Sequence, residues 1–278
     1  MRGPSLGRVA IACCVAAVDL AAQQLGASRT VLATVVDNRG RAIVDIEPDD
    51  FIIRENGQNR DVLSVRVADY PVVLVLDNGR GTSKDFDVIR QAALRFVARI
   101  GRRPVAVALA EPPRLIATLD DDRQAVLQRI EKAGTNRSNE GLFDAILTAA
   151  RAVQDNGSPF SAIVVVTANP LSTVPAELMT PILASGALVH AVVGREGSGA
   201  NAFSAASESL RSVVDQTHGS LMTIFASASY PIALDRLADQ LAPELLVEYV
   251  VPVGSSPTDD VKLGVRIPGG RVVGRGVR

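Results

Sequence analysis

Cysteine is nearly absent from this chain: Cys13 and Cys14 are the only two among 278 residues. Both lie in a start that has a cationic beginning, a short apolar core and small residues after it. This pattern is typical of a secretory signal peptide, which we predict over residues 1–22. The alternatives are a wrongly assigned start codon and a buried N-terminal helix. Cleavage would leave no disulfide and no catalytic thiol, and the predicted location is periplasmic or extracellular.

Other scarce features exclude further classes of function. The chain has no tryptophan and two histidines, and its 29 basic residues balance 30 acidic ones without a block of like charge. Nucleic-acid binding normally leaves a basic patch, so we predict no nucleic-acid partner. His190 and His218 lack the spacing of metal ligands. No later apolar run is long enough to cross a bilayer, so we predict no integral membrane segment after signal cleavage.

The most informative feature present is an apolar run at residues 71–76 that ends in Asp77 and a glycine-rich turn. A strand that is apolar on both faces belongs in the middle of a parallel sheet covered by helices. Asp77 therefore falls at the carboxyl end of a strand, where open α/β sheets place their ligands. Strand and helix patterns alternate downstream. The short link at residues 111–113 predicts an antiparallel edge strand, because a parallel crossover needs more residues.

Short β-patterns flank this alternation on both sides. Asn56-Gly57 between two strand patterns is a strong hairpin signal. Neither flank is long enough to bury a good core alone. We therefore predict that residues 29–68 and 244–278 pair as one small β-sandwich, with an α/β domain over residues 70–243 inserted between them.

The Asp77 turn and the order of elements over residues 72–241 resemble a von Willebrand factor type A domain. The flanking segments resemble those of a group of secreted bacterial proteins that carry this domain. The resemblance implies a doubly wound, mostly parallel α/β sheet. It also implies an exported, non-enzymatic module for protein binding or adhesion.

The same resemblance implies a metal-ion-dependent adhesion site, whose first loop reads Asp-x-Ser-x-Ser in the family. Here Asp77 is retained, but Gly79 and Gly81 replace both serines. Thr135 resembles the threonine of the second loop, and Ala168 stands where the third loop usually carries Asp. Because Mg²⁺ needs a nearly octahedral set of oxygens, we predict a degenerate site and metal-independent binding. The alternative is a cation-dependent adhesion module, with Mg²⁺ or Mn²⁺ held by Asp77 and Thr135.

Two other roles remain open for the Asp77 turn. Asp77 can cap the turn by accepting hydrogen bonds from the amides of Gly79 and Gly81. Alternatively, the amides of the turn, with Arg80 nearby, can bind an anion at the start of the following helix. We predict that Thr82 caps that helix.

We expect a protein or peptide partner to bind the loops at the carboxyl edge of the sheet. Five residues are predicted to form this partner-binding rim: Asn78, Arg80, Asn136, Asn169 and Arg195. An enzyme of unrecognised chemistry on the same fold is a further alternative. No Ser/His/Asp or Cys/His set is visible, so we predict no catalytic and no cofactor-binding residue.

Overall fold

The architecture is taken from a computed structural model of the 278-residue chain. It describes residues 27–138, 140–168, 176–194, 205–252, 258 and 260–278. The predicted signal peptide, Asn169 and Arg195 lie outside the described residues.

Thirteen strands and six α-helices are found among the described residues. The strands are β1 (Ala27–Val36), β2 (Phe51–Glu55), β3 (Gln58–Arg60), β4 (Val62–Val67), β5 (Val72–Leu76), β6 (Val105–Leu109), β7 (Arg114–Ala117), β8 (Ala162–Thr167), β9 (Leu188–Gly194), β10 (Leu221–Ile224), β11 (Leu245–Val251), β12 (Val261–Val265) and β13 (Arg271–Val277). The helices are α1 (Phe86–Arg99), α2 (Arg123–Glu131), α3 (Leu142–Asn156), α4 (Ala176–Ala184), α5 (Ala205–Gln216) and α6 (Tyr230–Leu241).

A six-stranded sheet in the order β10-β9-β8-β5-β6-β7 forms the centre of the α/β unit. Its strands are parallel except β7, which runs antiparallel to β6 at the edge. The link at residues 110–113 is too short for a crossover helix, so the chain must return in the opposite direction. The predicted antiparallel edge strand and the predicted α/β fold class are both confirmed.

Helices cover both faces of this sheet. Along β5, side chains alternate between two buried apolar clusters because successive strand residues point to opposite faces. Val72, Leu74 and Leu76 pack with α1, α2 and α6. Val73 and Val75 pack on the other side with α3, α4 and α5. Burial on both faces is the physical reason that this strand carries no polar residue.

The flanking segments form two further antiparallel sheets, in the orders β13-β1-β11-β4 and β12-β2-β3. Their apolar faces share one buried cluster that includes Val31, Phe51 and Val247. Strands β1 and β11 pair side by side although they come from opposite flanks of the chain. Asn56 and Gly57 adopt φ angles of 52° and 75°, as the predicted hairpin turn requires. The exact domain boundaries stay a prediction.

A buried ion cluster ties the two flanks together at Glu55, whose side chain is fully buried. Its carboxylate accepts hydrogen bonds from Arg29 Nη1 at 2.6 Å, Arg60 Nε at 3.1 Å and the Tyr249 hydroxyl at 3.3 Å. Burial acts to raise the pKa of Glu55, but hydrogen bonds and the charge of Arg29 outweigh it and leave that pKa below its ordinary value. The partners lie on β1, β3 and β11, so one carboxylate links both flanks.

Candidate functional site

The carboxylate of Asp77 lies at the end of β5 and is only 3% exposed. Its Oδ1 accepts a hydrogen bond from the Gly79 amide at 3.0 Å. Its Oδ2 accepts bonds from the hydroxyls of Thr82 and Thr167, each at 2.6 Å. The Gly79 bond predicted for a capped turn is confirmed. Because Thr167 ends β8, Asp77 also ties the first loop to the neighbouring strand.

The predicted role of Thr82 as a helix cap is wrong. Residues Arg80–Thr82 form a short 3-10 turn that places Thr82 inside the protein, where it is fully buried. Its hydroxyl donates to Asp77, and α1 begins later, at Phe86, with Asp85 in the N-cap position. A threonine before a helix pattern usually caps it, so local sequence could not predict this contact.

Asn78 connects three loops through its buried side-chain amide, a role that the sequence did not suggest. Its Nδ2 donates to the carbonyls of Glu111 at 2.8 Å and Gly134 at 3.0 Å, and its Oδ1 accepts from the Glu111 amide at 2.7 Å. The Glu111 carboxylate in turn accepts from the amides of Glu140 and Gly141. This carboxylate lies at the N-terminus of α3, where negative charge is favourable. Asn78 is thus a positioning residue.

The second loop lies across the first. The Asn136 amide donates to the Asn78 carbonyl at 2.7 Å, and the Arg80 amide donates to the Ser138 carbonyl at 2.9 Å. Thr135, Asn136 and the Arg80 side chain are exposed. The amides of Gly79 and Arg80 are both engaged within the protein. The hypothesis of an anion held by the turn therefore loses two of its donors.

The residues at this position do not fit a divalent cation. Mg²⁺ requires nearly octahedral oxygen coordination and usually keeps several waters. Asp77 is buried, and its two oxygens already accept three hydrogen bonds. Gly79 and Gly81 offer no side-chain oxygen. Over the described ranges, no three His, Cys, Asp or Glu residues gather in a way that could hold a metal ion.

A groove of about 500 Å³ opens beside Asn78 at the same edge of the sheet. Its apolar lining includes Leu109 and Ile116, and its polar wall includes Arg114, Arg129 and Lys132. Arg129 forms an ion pair with Asp121 at 2.8 Å. Arg114 and Lys132 are exposed and form no ion pair within the part of the chain that the structure describes. Glu111 also lines the groove, and its carboxylate accepts hydrogen bonds from the amides of Glu140 and Gly141. The groove therefore presents a net positive charge from Arg114 and Lys132.

His190 is a core residue with 1% exposure. Its Nδ1 lies 2.9 Å from the Ser220 hydroxyl. Burial, followed by the positive charges of Arg275 and Arg103, lowers the pKa of His190 to about 4, so the ring is neutral at pH 7. His190 lies within β9 and Ser220 directly precedes β10, and the buried ring leaves a substrate no room to approach.

Comparisons with known proteins identify the fold. No protein-family model matches the sequence, and no curated protein matches it either. Among solved structures, a von Willebrand factor type A protein from Catenulispora acidiphila aligns with a TM-score of 0.54 at 10% identity, covering 92% of this chain and 73% of that protein. The vWF domain of the type V pili tip protein Mfa5 from Porphyromonas gingivalis aligns with a TM-score of 0.47 at 11% identity, covering 63% of this chain and 95% of that one.

The chain therefore has the fold of von Willebrand factor type A domains, and this rests on the alignment with the Catenulispora acidiphila protein. At 92% coverage, that alignment includes residues of the flanking β-sheets as well as the α/β unit. Within the described ranges, no helix combines the length and the apolar character needed to cross a membrane.

Proposed function

We propose that this chain is an exported, non-enzymatic binding module whose loop rim holds a protein or peptide partner without a metal ion. The observation that carries the proposal is the hydrogen bonding of the Asp77 carboxylate. This carboxylate corresponds to the retained residue of the family's adhesion motif, yet three internal hydrogen bonds occupy it. Hydrogen bonds that Asp77 accepts, and those that the Asn78 side chain donates and accepts, thus connect the loops that a cation would otherwise help to organise.

The contact surface we propose consists of the exposed rim residues and the adjoining groove. Arg80 and Asn136 are exposed on this rim, and Asn169 and Arg195 stay predicted members of it. Asn78 is buried beneath the rim and connects its loops by hydrogen bonds to Glu111 and Gly134. Arg114 and Lys132 add positive charge along the groove, which suits a partner with acidic side chains.

Metal independence is tested by calorimetric titration of Mg²⁺ and Mn²⁺ into the protein. We expect no heat of binding and no change in melting temperature. Heat that disappears in both Asp77→Ala and Thr135→Ala would overturn the proposal and favour the cation-dependent adhesion module. Thr135→Ala is the more informative variant, because Thr135 is exposed and its truncation should leave the fold intact.

Partner binding is tested by capturing proteins from a cell-surface extract on the immobilised chain, with Mg²⁺ in one arm and EDTA in the other. The rim variant is Arg114→Glu with Lys132→Glu. The control is Lys262→Glu with Arg271→Glu, which makes the same charge change on exposed residues of β12 and β13. We expect one set of proteins to be retained by wild type and control in both arms and lost by the rim variant. Equal loss in the control, or release by EDTA, would contradict the proposal.

A further inference from the structure

A second and larger groove lies at the amino ends of the parallel strands of the six-stranded sheet, opposite the partner-binding rim, where the α/β unit meets the sandwich. Its volume is about 840 Å³. One wall includes Phe160, Leu188 and His218, which lie at or just before the amino ends of the parallel strands β8, β9 and β10. The other wall is the strand β13. Sites for small molecules have volumes in this range and often occur between structural units.

The lining of this groove combines apolar surface with positive charge. Apolar side chains include Phe160, Leu183 and Leu188, and the charged residues are Arg275 and Arg278. No aspartate or glutamate is among the lining residues. Arg278 donates from Nη2 to the Gly186 carbonyl at 3.0 Å, so its hydrogen-bonding capacity is partly used. An apolar body with one negative group would match this lining.

Arg275 is the unsatisfied group in the groove. Its Nε is buried and has no hydrogen-bond partner, and its guanidinium forms no ion pair with the described residues. The nearby carboxylate of Glu244 is already bound by the Tyr70 hydroxyl and by Arg103 Nη2. A buried donor without an acceptor costs free energy. A ligand carboxylate that reaches the accessible part of the guanidinium from the groove would supply a counter-charge.

Glycines precede and follow Arg275 on the β13 wall, so Arg275 and Arg278 carry the charged side chains of this wall. Gly274 and Gly276 both line the groove. A Cβ atom at Gly276 would lie 3.6 Å from Phe160 Cε1, which is ordinary van der Waals contact, so the β13 backbone packs close to the aromatic ring here.

We propose that this groove binds a small amphipathic carboxylate, with its negative group on Arg275 and its apolar chain against Phe160 and Leu188. The site is separate from the partner-binding rim, since the two lie at opposite edges of the sheet. The two proposals can therefore fail independently.

The test titrates octanoate and, separately, 1-octanol into the full chain by calorimetry. We expect octanoate to bind at one site and octanol, which lacks the charge, to bind at least about tenfold more weakly. Arg275→Gln should weaken octanoate binding at least about tenfold, the equivalent of roughly 1.4 kcal/mol. Arg271→Gln is the matched control, because Arg271 is an exposed arginine of the same strand outside the groove. Equal affinity of both variants, equal binding of octanol, or no saturable binding would each overturn the proposal.

A second measurement uses the wild-type protein and needs no variant to fold. Octanoate is added to isotope-labelled protein, and backbone amide chemical shifts are followed by NMR. We expect the largest changes at His218, Gly274 and Gly276. Changes confined to the rim residues Arg80 and Asn136, or spread over the surface, would refute binding in this groove.

Discussion

Replacing Thr167 with valine preserves the shape of the side chain and removes the hydroxyl that donates to Asp77 Oδ2 across 2.6 Å. Thr167 is fully buried and Asp77 is 3% exposed, so water cannot easily take the place of the lost donor. Asp77 would keep the Gly79 amide and the Thr82 hydroxyl. A hydrogen bond to a charged group contributes about 1.5–3 kcal/mol. We therefore expect Thr167→Val to lower the free energy of unfolding by about 2 kcal/mol.

Urea unfolding followed by circular dichroism measures this loss. Thr148→Val is the control, because the Thr148 hydroxyl donates to the Asp144 carbonyl within α3 and is remote from the carboxylate. We expect the control to change stability by less than about 0.5 kcal/mol. Similar losses in both variants would refute the network around Asp77. Recovery of the Thr167→Val loss on adding Mg²⁺ would refute the inference that this position does not fit a cation.

Three further perturbations test other parts of the structure. Because the pKa of His190 is lowered from 6.5 to about 4, acidification between these values protonates the unfolded chain first and destabilises the native state. Between about pH 7.5 and 4.5, wild type should lose about 2–3 kcal/mol more than His190→Gln in urea unfolding, and equal losses would contradict this. Glu55→Gln should cost about 3 kcal/mol because it leaves two arginines without their buried carboxylate; a thermal melt close to wild type would count against that cluster. In Gly219→Ala the new Cβ would lie 1.8 Å from the Val189 carbonyl oxygen, whereas Gly134→Ala meets nothing within 4 Å. Gly219→Ala should lower the free energy of unfolding by at least about 2 kcal/mol, and Gly134→Ala should leave it almost unchanged. Equal melting temperatures of the two variants would show that the backbone adjusts to the new Cβ.

The α/β architecture was predictable because its signals are local. A strand buried on both faces cannot carry polar side chains, so the apolar residues 71–76 indicated a central parallel strand. The link at residues 111–113 indicated an antiparallel edge by its length alone. The Asn56-Gly57 turn was equally predictable, because a two-residue hairpin turn requires positive φ angles and Asn-Gly favours them. Both residues adopt positive φ angles in the structure.

The interior of the site was not predictable in the same way. Thr82 lies five residues from Asp77 and Thr167 lies 90 residues away, yet both hydroxyls bind the same carboxylate oxygen. Asn78 and Glu111 are 33 residues apart and exchange two hydrogen bonds. A surface role was the natural expectation for an asparagine in a turn, because burial depends on which loops pack above it.

The sequence by itself determined the class of fold, the order of strands and helices, and the lack of side-chain oxygens at Gly79 and Gly81 in the turn after Asp77. These follow from side-chain periodicity, link length and residue identity, which are local properties. Only the tertiary structure decided that Asp77 is occupied by hydrogen bonds, that β1 pairs with β11, and that a cationic groove forms between β13 and the α/β unit. Those features depend on groups that are distant in the chain and meet only when the sheets assemble.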